Sequence, residues 1–267
     1  RKNDFTLFCL RGKQNHGGFA PFGFPPTGAG GGLMEKGRRI YLMDALRGLA
    51  VLLMVVHHFL YDLAAFCGAP WWIFSNPLFD VLHYVFAGVF ILLSGVSSNF
   101  SRSNVRRGLK ALGCAAGITA VTVVMRMPIW FGVLHLLAVC MIFYGLTRGL
   151  WERLPPWMVP AVSVGLTVLT APLANGVETE IPGLWMLGWT TPEFASADYF
   201  PLLPWAFVFW FGTWLGRYVK EGRLPGWFYR WRCPALEAVG RHSLVIYVLH
   251  QPVLYGLTMA GLRLFGR

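Results

Sequence analysis

The feature that most constrains this chain is a series of seven apolar segments, each long enough to cross a membrane as a helix. They lie at about residues 45–66, 79–98, 109–126, 130–147, 157–174, 201–219 and 240–262. A hydrocarbon layer of ~30 Å needs about 20 apolar helical residues per crossing. Only 13% of the residues are charged, against about 25% in soluble domains. The sequence therefore predicts an all-α, polytopic membrane helix bundle with about seven transmembrane helices.

The basic residues predict an orientation, because cytoplasmic loops of membrane proteins collect Lys and Arg. The net charge is +11, and most of the Lys and Arg side chains lie before segment 1 and in the connections 2–3, 4–5 and 6–7. The 1–2 and 5–6 connections have none, and the acidic, aromatic 5–6 connection can line an external opening or lie at the membrane surface. We expect a cytoplasmic N-terminus, an external C-terminus and a multi-pass protein of the cell inner (plasma) membrane. The positive charge thus reflects the orientation of the chain in the membrane, and it predicts no nucleic-acid partner.

Residues 1–33 differ from the rest of the chain, because they are rich in Gly and Pro and have no sustained apolar period. Met34 and the basic stretch after it are typical of a natural start, so we expect residues 1–33 to be disordered or a non-native extension. Residues 34–267 contain no internal repeat and predict a single transmembrane domain. The five cysteines form no CxxC pair and predict neither a disulfide framework nor a zinc site.

Segment 1 carries five ionisable residues, which is unusual because each costs at least ~2.5 kcal/mol at mid-membrane. They are Asp44, Arg47, His57, His58 and Asp62. At 100° per residue, all but His57 fall on one face and form a polar stripe. Asp44 and Arg47 can pair for structural reasons alone, or the pair can hold an arginine toward the cytoplasm. His58 and Asp62, one turn apart, predict a histidine base oriented by a carboxylate.

Segment 7 carries a second polar group near mid-membrane. His250 and Gln251 follow Tyr247 by one turn, and Pro252 can kink the helix and turn His250 toward a cavity. The alternative is a packing kink with hydrogen bonds between helices. Isolated histidines on segments 2 and 4 are weaker candidates. Because the histidines form no HExxH or HxxxH pair, we expect no metal site.

Five motifs in order resemble one family of membrane enzymes. They are DALRGLAVLLMVVHHFLYDL, LLSGVSSNFSRSNVRRGLK, FGVLHLLAVCMIFYG, SADYFPLLPWAFVFWFG and HSLVIYVLHQPVLYG. Together they cover about residues 38–262 and are similar to the heparan-alpha-glucosaminide N-acetyltransferase catalytic-domain family, in its short bacterial branch. The resemblance implies transmembrane acetylation, in which cytoplasmic acetyl-CoA donates an acetyl group to an amino sugar or another glycan or glycolipid on the extracytoplasmic side.

The candidate residues identified from their spacing fit roles in this reaction. His58 would be the base, Asp62 would orient it, and His250 would assist or donate to the thioester oxyanion. The residues expected to bind acetyl-CoA, whose phosphates are negatively charged, are Asp44, Arg47, Asn99, Arg102, Arg106 and Arg107. Those expected on the acceptor side are His57, His135, Asp198 and Gln251. Direct transfer and an acetyl-histidine intermediate both stay open, as do N- or O-acylation and a homodimer.

Two positions depart from the family pattern. Characterised animal members carry a functional histidine after the first helix, where this chain has CGAPWWIFSNP, and His58 aligns with an asparagine in the middle of their first helix. The alternative function is a proton-coupled transporter in which Asp44, Arg47, His58 and Asp62 form a relay. In a third interpretation the chain is a structural membrane subunit whose polar residues only join helices.

Overall fold

The computed structural model describes residues 39–174 and 176–265, and within them the regular structure is helical apart from two isolated bridge pairs. The nine helices of this part of the chain are α1 (Tyr41–Phe66), α2 (Pro77–Ser98), α3 (Asn104–Val124), α4 (Val133–Trp151), α5 (Met158–Thr170), α6 (Leu202–Lys220), α7 (Gly226–Arg230), α8 (Pro234–Arg241) and α9 (Ser243–Phe265). The predicted extension, residues 1–33, and the predicted start at Met34 lie outside the described residues.

Five of these helices, α1 to α4 and α9, are long and apolar enough to cross a membrane. The helix α5 is also apolar but has 13 residues. The helix α6 has 19 residues and carries Arg217 and Lys220 in its last turn. The prediction of an all-α bundle with several membrane-crossing helices is therefore confirmed for the described residues. The count of seven crossings and the orientation of the termini stay predictions.

The surface of the bundle is apolar, as expected for helices that face lipid. Val124 is 83% exposed, Leu146 is 72% exposed and Leu264 is 76% exposed. In water, a contiguous surface of this kind would promote association. In a membrane it is ordinary, because lipid chains are as apolar as these side chains and helix association depends on close packing instead.

Glycines bring two pairs of helices into direct backbone contact. A Cβ atom at Gly48 of α1 would collide with the Leu236 carbonyl of α8, and one at Gly240 of α8 would collide with the Asp44 carbonyl. A Cβ atom at Gly212 of α6 would likewise collide with the backbone of α2. Backbones this close leave no room for a side chain, so the pairs α1–α8 and α2–α6 are held in fixed positions.

We call one end of the bundle the basic end. It brings together the start of α1, the end of α2 and the start of α3, where Arg47 and Arg107 both hydrogen-bond Ser97. At the same end, Lys220 of α6 donates to the Asn99 carbonyl at 3.3 Å. The opposite end holds the α1–α2, α3–α4 and α5–α6 connections.

The long connection between α5 and α6 returns to the bundle at the start of α4. The Ala197 N–H donates to the Pro128 carbonyl at 3.1 Å, and the Phe200 N–H donates to the Phe131 carbonyl at 2.8 Å. These hydrogen bonds fix residues 196–200 beside residues 128–131. The connection therefore reaches into the bundle, which favours the predicted lining role over a loop confined to the membrane surface.

Candidate active site

Two histidines meet near the middle of α1 and α9. His58 Nδ1 and His250 Nε2 are 3.2 Å apart, and the ring centroids are 4.9 Å apart. His250 Nδ1 lies 2.7 Å from the carbonyl oxygen of Tyr247, which is one turn earlier in α9. Both histidines were predicted to be catalytic, but only the fold brings together two positions that are 192 residues apart in the chain.

These contacts assign the protons of the two rings. A carbonyl oxygen only accepts, so His250 Nδ1 carries the proton that it donates to Tyr247. His250 Nε2 is then the acceptor in a neutral ring, and His58 Nδ1 donates to it. His58 Nε2 is left with a lone pair that these contacts do not use, which is the form that a general base requires.

A cavity of about 190 Å³ lies between α1 and α2 beside His58. Along α1 its wall runs from Ala50 to His58, and α2 contributes apolar side chains such as Phe86 and Phe90. The polar residues in the wall are His57, His58, His83, Asp198 and Tyr247. A mostly apolar chamber with a few convergent polar groups is typical of a site for a small organic ligand.

The carboxylate predicted to orient His58 has a different neighbour. Gln251 Nε2 donates to Asp62 Oδ1 at 3.0 Å, and Asp62 is 1% exposed. Asp62 Oδ2 and Gln251 Oε1 have no hydrogen-bond partner among the described residues. The predicted His58–Asp62 pair is therefore wrong, because His58 Nδ1 binds His250 instead. Asp62, one turn after His58 on α1, and Gln251, the residue after His250 on α9, form a second polar contact between these helices.

Asp198, from the connection before α6, brings a carboxylate to the cavity wall. The Tyr247 hydroxyl donates to Asp198 Oδ2 at 3.0 Å. Burial raises the pKa of Asp198, and the hydrogen bond from Tyr247 acts in the opposite direction, as does the nearby Val133 N–H at the start of α4. The predicted acceptor-side residue Asp198 therefore shares the cavity wall with the predicted base, His58.

The remaining histidines occupy different positions. The rings of His57 and His83 lie in the cavity wall with centroids 4.4 Å apart. His135 lies outside the lining of this cavity, and its Nε2 is 3.2 Å from Thr119 Oγ1. Of the two predicted acceptor-side histidines, only His57 lies in the wall of the cavity beside His58. Within the described residues, no group of three or more His, Cys, Asp or Glu side chains is arranged to hold a metal ion.

The basic end carries a second polar cluster around Asp44 and Arg47. Arg47 Nη1 donates to Asp44 Oδ1 at 3.0 Å, which confirms that the two residues pair. Arg39 Nε donates to the other carboxylate oxygen at 2.5 Å. Arg47 Nη2 also donates to the Ser97 hydroxyl of α2. Asp44 is 5% exposed, so two guanidinium groups compensate a carboxylate that is buried in the bundle.

Arg107 brings another guanidinium group to the same place. Its Nη1 donates to the Ser97 carbonyl and to Asn104 Oδ1, each at 3.4 Å. Among the residues that the structure describes, Arg107 has no salt bridge to a carboxylate. The side chains of Arg102 and Arg106 are exposed. The fold thus brings together two of the four arginines predicted to bind phosphate and leaves the other two facing outward.

Asn99, which was predicted to contact acetyl-CoA, is engaged in helix packing. Its Nδ2 donates to the Thr213 carbonyl of α6 at 2.8 Å, and the residue is 6% exposed. Sequence reasoning missed Ser97 and Asn104, which hold the arginines of the basic end. The sequence indicates this role only weakly, because serine and asparagine are common at helix ends for reasons unrelated to ligand binding. Only the convergence of α1, α2 and α3 identifies them.

Comparison with known proteins identifies the family. A sequence model described as Heparan-alpha-glucosaminide N-acetyltransferase, catalytic, matches residues 39–252. No curated protein and no solved structure matches the chain. The matched range includes His58, Asp198 and His250, and a family of acetyltransferases does not favour the transporter alternative. This chain, a helical protein with membrane-crossing segments, belongs to the heparan-alpha-glucosaminide N-acetyltransferase catalytic family, which implies acetyltransferase activity.

Proposed function

We propose that the protein transfers an acetyl group from acetyl-CoA, bound at the basic and cytoplasmic end of the bundle, to an acceptor from the extracytoplasmic side. The observation that carries this proposal is the hydrogen bond between His58 and His250, because it leaves His58 Nε2 as a base in the cavity wall. Family membership supports the acetyl transfer itself.

The basic end supports binding of the CoA phosphates. Arg47 and Arg107 converge on Ser97, and guanidinium groups bind phosphate through charge-assisted hydrogen bonds. The cavity begins at Ala50, one turn beyond Arg47. About 16 Å of helix separates Arg47 from His58 at a rise of about 1.5 Å per residue. An extended pantetheine arm held at the basic end would therefore follow the cavity toward the base.

The chemistry follows from a neutral base beside a thioester. The acceptor, an amine or a hydroxyl, gives its proton to His58 Nε2 while its lone pair attacks the thioester carbonyl carbon. The carbon–sulfur bond breaks with its electrons going to sulfur, and protonated His58 returns the proton to the CoA thiolate. His250 supports this cycle, because its Nε2 accepts from His58 Nδ1 and stabilises the imidazolium that forms on His58.

We propose that the acceptor reaches the cavity from the opposite end of the bundle. The connection before α6 contributes Asp198 and Phe200 to the cavity wall, so a ligand from that end would meet the base directly. The distribution of Lys and Arg supports an orientation with this end outside the cell and the N-terminus inside. An amino sugar, or another glycan or glycolipid of the cell envelope, is the proposed acceptor for a protein of the inner (plasma) membrane.

The direct test is acetyl transfer by the purified full-length protein in nanodiscs. The assay uses radiolabelled acetyl-CoA and a panel of amino sugars and envelope glycolipids. We expect label in at least one acceptor and none on the quenched protein, because a base mechanism forms no acetyl-enzyme. Label on the protein would instead establish an acetyl-enzyme intermediate. A folded sample that neither transfers the label, nor carries it, nor binds acetyl-CoA would overturn the proposal.

A further inference from the structure

The cavity beside His58 has a buried inner wall and an exposed outer rim. Val133 and Phe200, which form part of the inner wall, are both buried. Val56 of α1 and Leu82 of α2 also line the cavity, yet they are 51% and 39% exposed. We call the gap between these two side chains the lateral opening.

The rim residues belong to the lipid-facing surface of the bundle. Val56 lies one turn from Leu52 and from Phe59, which are exposed and do not line the cavity. Residues three or four apart share one face of a helix. The same holds on α2, where Leu82 lies one turn from the exposed Leu78. The cavity therefore opens to the surface that faces lipid, between α1 and α2.

The helix packing explains why a gap forms at this place. At the basic end, Arg47 of α1 hydrogen-bonds Ser97 of α2 and joins the two helices. Toward the other end they meet again through the rings of His57 and Phe79, which stack with centroids 5.2 Å apart. Between these two contacts the space between α1 and α2 is the cavity itself.

Aromatic rings cover the cavity toward the α1–α2 connection. Phe74 of this connection contacts His57 edge-on, with ring centroids 5.5 Å apart, and contacts Phe79 at 5.4 Å. Tyr61 and Trp71 extend the cluster, since each ring lies 5.8 Å from that of Phe74. A water-soluble polymer that approached from this connection would have to displace these rings. A group that arrived from the bilayer through the lateral opening would not.

The depth of the lateral opening fits one leaflet of the membrane. His58 lies eight residues before the end of α1, which is about 12 Å along the helix. Leu82 lies five residues after the start of α2, which is about 8 Å. In a hydrocarbon layer of ~30 Å, these distances place the opening in the half nearer the α1–α2 connection. In the proposed orientation, this half is the outer leaflet.

The polarity of the cavity changes from the rim to the interior. The rim residues Val56 and Leu82 are apolar, whereas His58, His83 and Tyr247 offer polar groups deeper in the wall. Acyl chains would pass the rim without loss, because they are as apolar as its side chains. A polar headgroup that reached the histidines would find hydrogen-bond partners, which compensate the water that it leaves behind.

We propose that the acceptor is a lipid-anchored molecule of the outer leaflet, whose headgroup enters the cavity through the lateral opening while its acyl chains stay in the bilayer. This assignment rests on the proposed acetyltransferase function and narrows its acceptor to a membrane lipid. The headgroup amine or hydroxyl then lies beside His58 Nε2. The donor comes from the basic end of the same cavity, so the two substrates enter by different routes.

The experiment presents glucose and glucosamine in two forms to the full-length protein in nanodiscs. The methyl glycosides are in solution, and the diacylglycerol glycosides are in the bilayer. The ratio of kcat/KM for the lipid form to kcat/KM for the methyl form measures the benefit of the anchor. We expect Leu82→Trp, which places a larger ring in the opening, to lower this ratio about tenfold or more. Val81→Trp is the matched control and should keep the wild-type ratio, because Val81 is exposed but does not line the cavity.

Binding is measured without the donor, by cross-linking of a diacylglycerol glucoside that carries a photoreactive diazirine beside the sugar. We expect cross-links to the lining residues Met54 and Phe86 in the wild type and fewer in Leu82→Trp. Val56→Trp fills the opening from α1 and should act in the same direction, with Leu52→Trp as its control. Thermal unfolding of each variant shows that it is folded.

The outcomes separate lateral entry from the proposed function. Acetyl transfer with a ratio that both rim variants leave unchanged would overturn lateral entry and leave the acetyltransferase intact. Cross-links to the lining residues that both rim variants abolish, without transfer to any acceptor, would support lateral entry and overturn the enzyme. Absence of both cross-linking and transfer would overturn both.

Discussion

The start of α1 and its middle hold polar residues in two different ways. At the basic end, Asp44 pairs with Arg39 and Arg47, and Gly48 lets α8 close over the helix. In the middle, His58 and His250 join as neutral rings, and a cavity opens beside them toward α2. In the first arrangement the charges are paired and the helices pack closely. The second leaves one nitrogen of the His58 ring without a hydrogen bond from these contacts, beside an open cavity.

This difference indicates a division of roles along one helix. Charged groups near a membrane boundary can be paired or solvated, so they can anchor helices and bind phosphate at modest cost. A group that must gain and lose a proton in the middle of the membrane costs less free energy if its resting form is a neutral ring. Substitutions in the two regions should therefore change different quantities.

Removal of the base should produce the largest effect. His58→Ala should lower kcat by about 10²- to 10⁴-fold, which is the usual contribution of a general base. Equilibrium binding of acetyl-CoA should be unchanged, because the basic end is untouched. The control is His242→Ala, since His242 is an exposed histidine just before α9, and it should keep wild-type transfer. If His58→Ala lost donor binding instead, the two regions would not be separable.

Filling the closest contact of the basic end should act on stability instead. Gly48→Ala places a methyl group against the Leu236 carbonyl, and overpacking of this kind costs about 1–3 kcal/mol. We expect a lower unfolding temperature and normal transfer per folded molecule. A Cβ atom at Gly113 of α3 meets nothing within 4 Å, so Gly113→Ala should leave the unfolding temperature unchanged. Equal losses in the two variants would contradict the packing assigned to α1 and α8.

Weakening the phosphate site should change the donor KM alone. Arg107→Gln should raise the KM for acetyl-CoA about tenfold at a near-normal kcat, because one charge-assisted hydrogen bond is lost. Added salt should raise the wild-type donor KM in the same direction. Arg153→Gln, at an exposed arginine after α4, tests for a general charge effect and should leave the donor KM unchanged. A donor KM that is unchanged in Arg107→Gln would mean that the CoA phosphates bind elsewhere.

The smallest effect concerns the pH dependence of stability at the basic end. Glu237 of α8 accepts from Arg232 Nε at 2.8 Å and from the Cys233 N–H at 3.0 Å. The hydrogen bond from Arg232 lowers the pKa of Glu237, so its stabilisation is complete above the ordinary glutamate pKa and is lost as the pH falls through the lowered value. Thermal unfolding of the wild type and Glu237→Gln should differ at neutral pH and converge in acid. A constant difference would mean that the ionised pair does not contribute.

The helices were predictable from the sequence because each membrane crossing is a local apolar run. The segment predicted at residues 157–174 corresponds to α5, Met158–Thr170, and the segment at 240–262 corresponds to α9, Ser243–Phe265. The Asp44–Arg47 pair was predictable for the same reason, since both residues lie on one turn of one helix.

The candidate site was only partly predictable because its neighbours come from distant parts of the chain. The His58–Asp62 spacing also places both residues on one face, yet His58 is hydrogen-bonded to His250 of α9 and Asp62 to Gln251 of α9. The position of Asp198 depends on how a long connection docks beside α4. Local periodicity carries no information on contacts of this kind.

The most direct test of this division is the transfer rate of His58→Ala and Arg107→Gln measured side by side at saturating acetyl-CoA. Saturation removes the effect of a weakened donor site, so Arg107→Gln should transfer acetyl groups at nearly the wild-type rate. His58→Ala should remain slower by about 10²-fold or more, because no donor concentration replaces a base. Transfer by His58→Ala at the wild-type rate would contradict the central claim that His58 is the base.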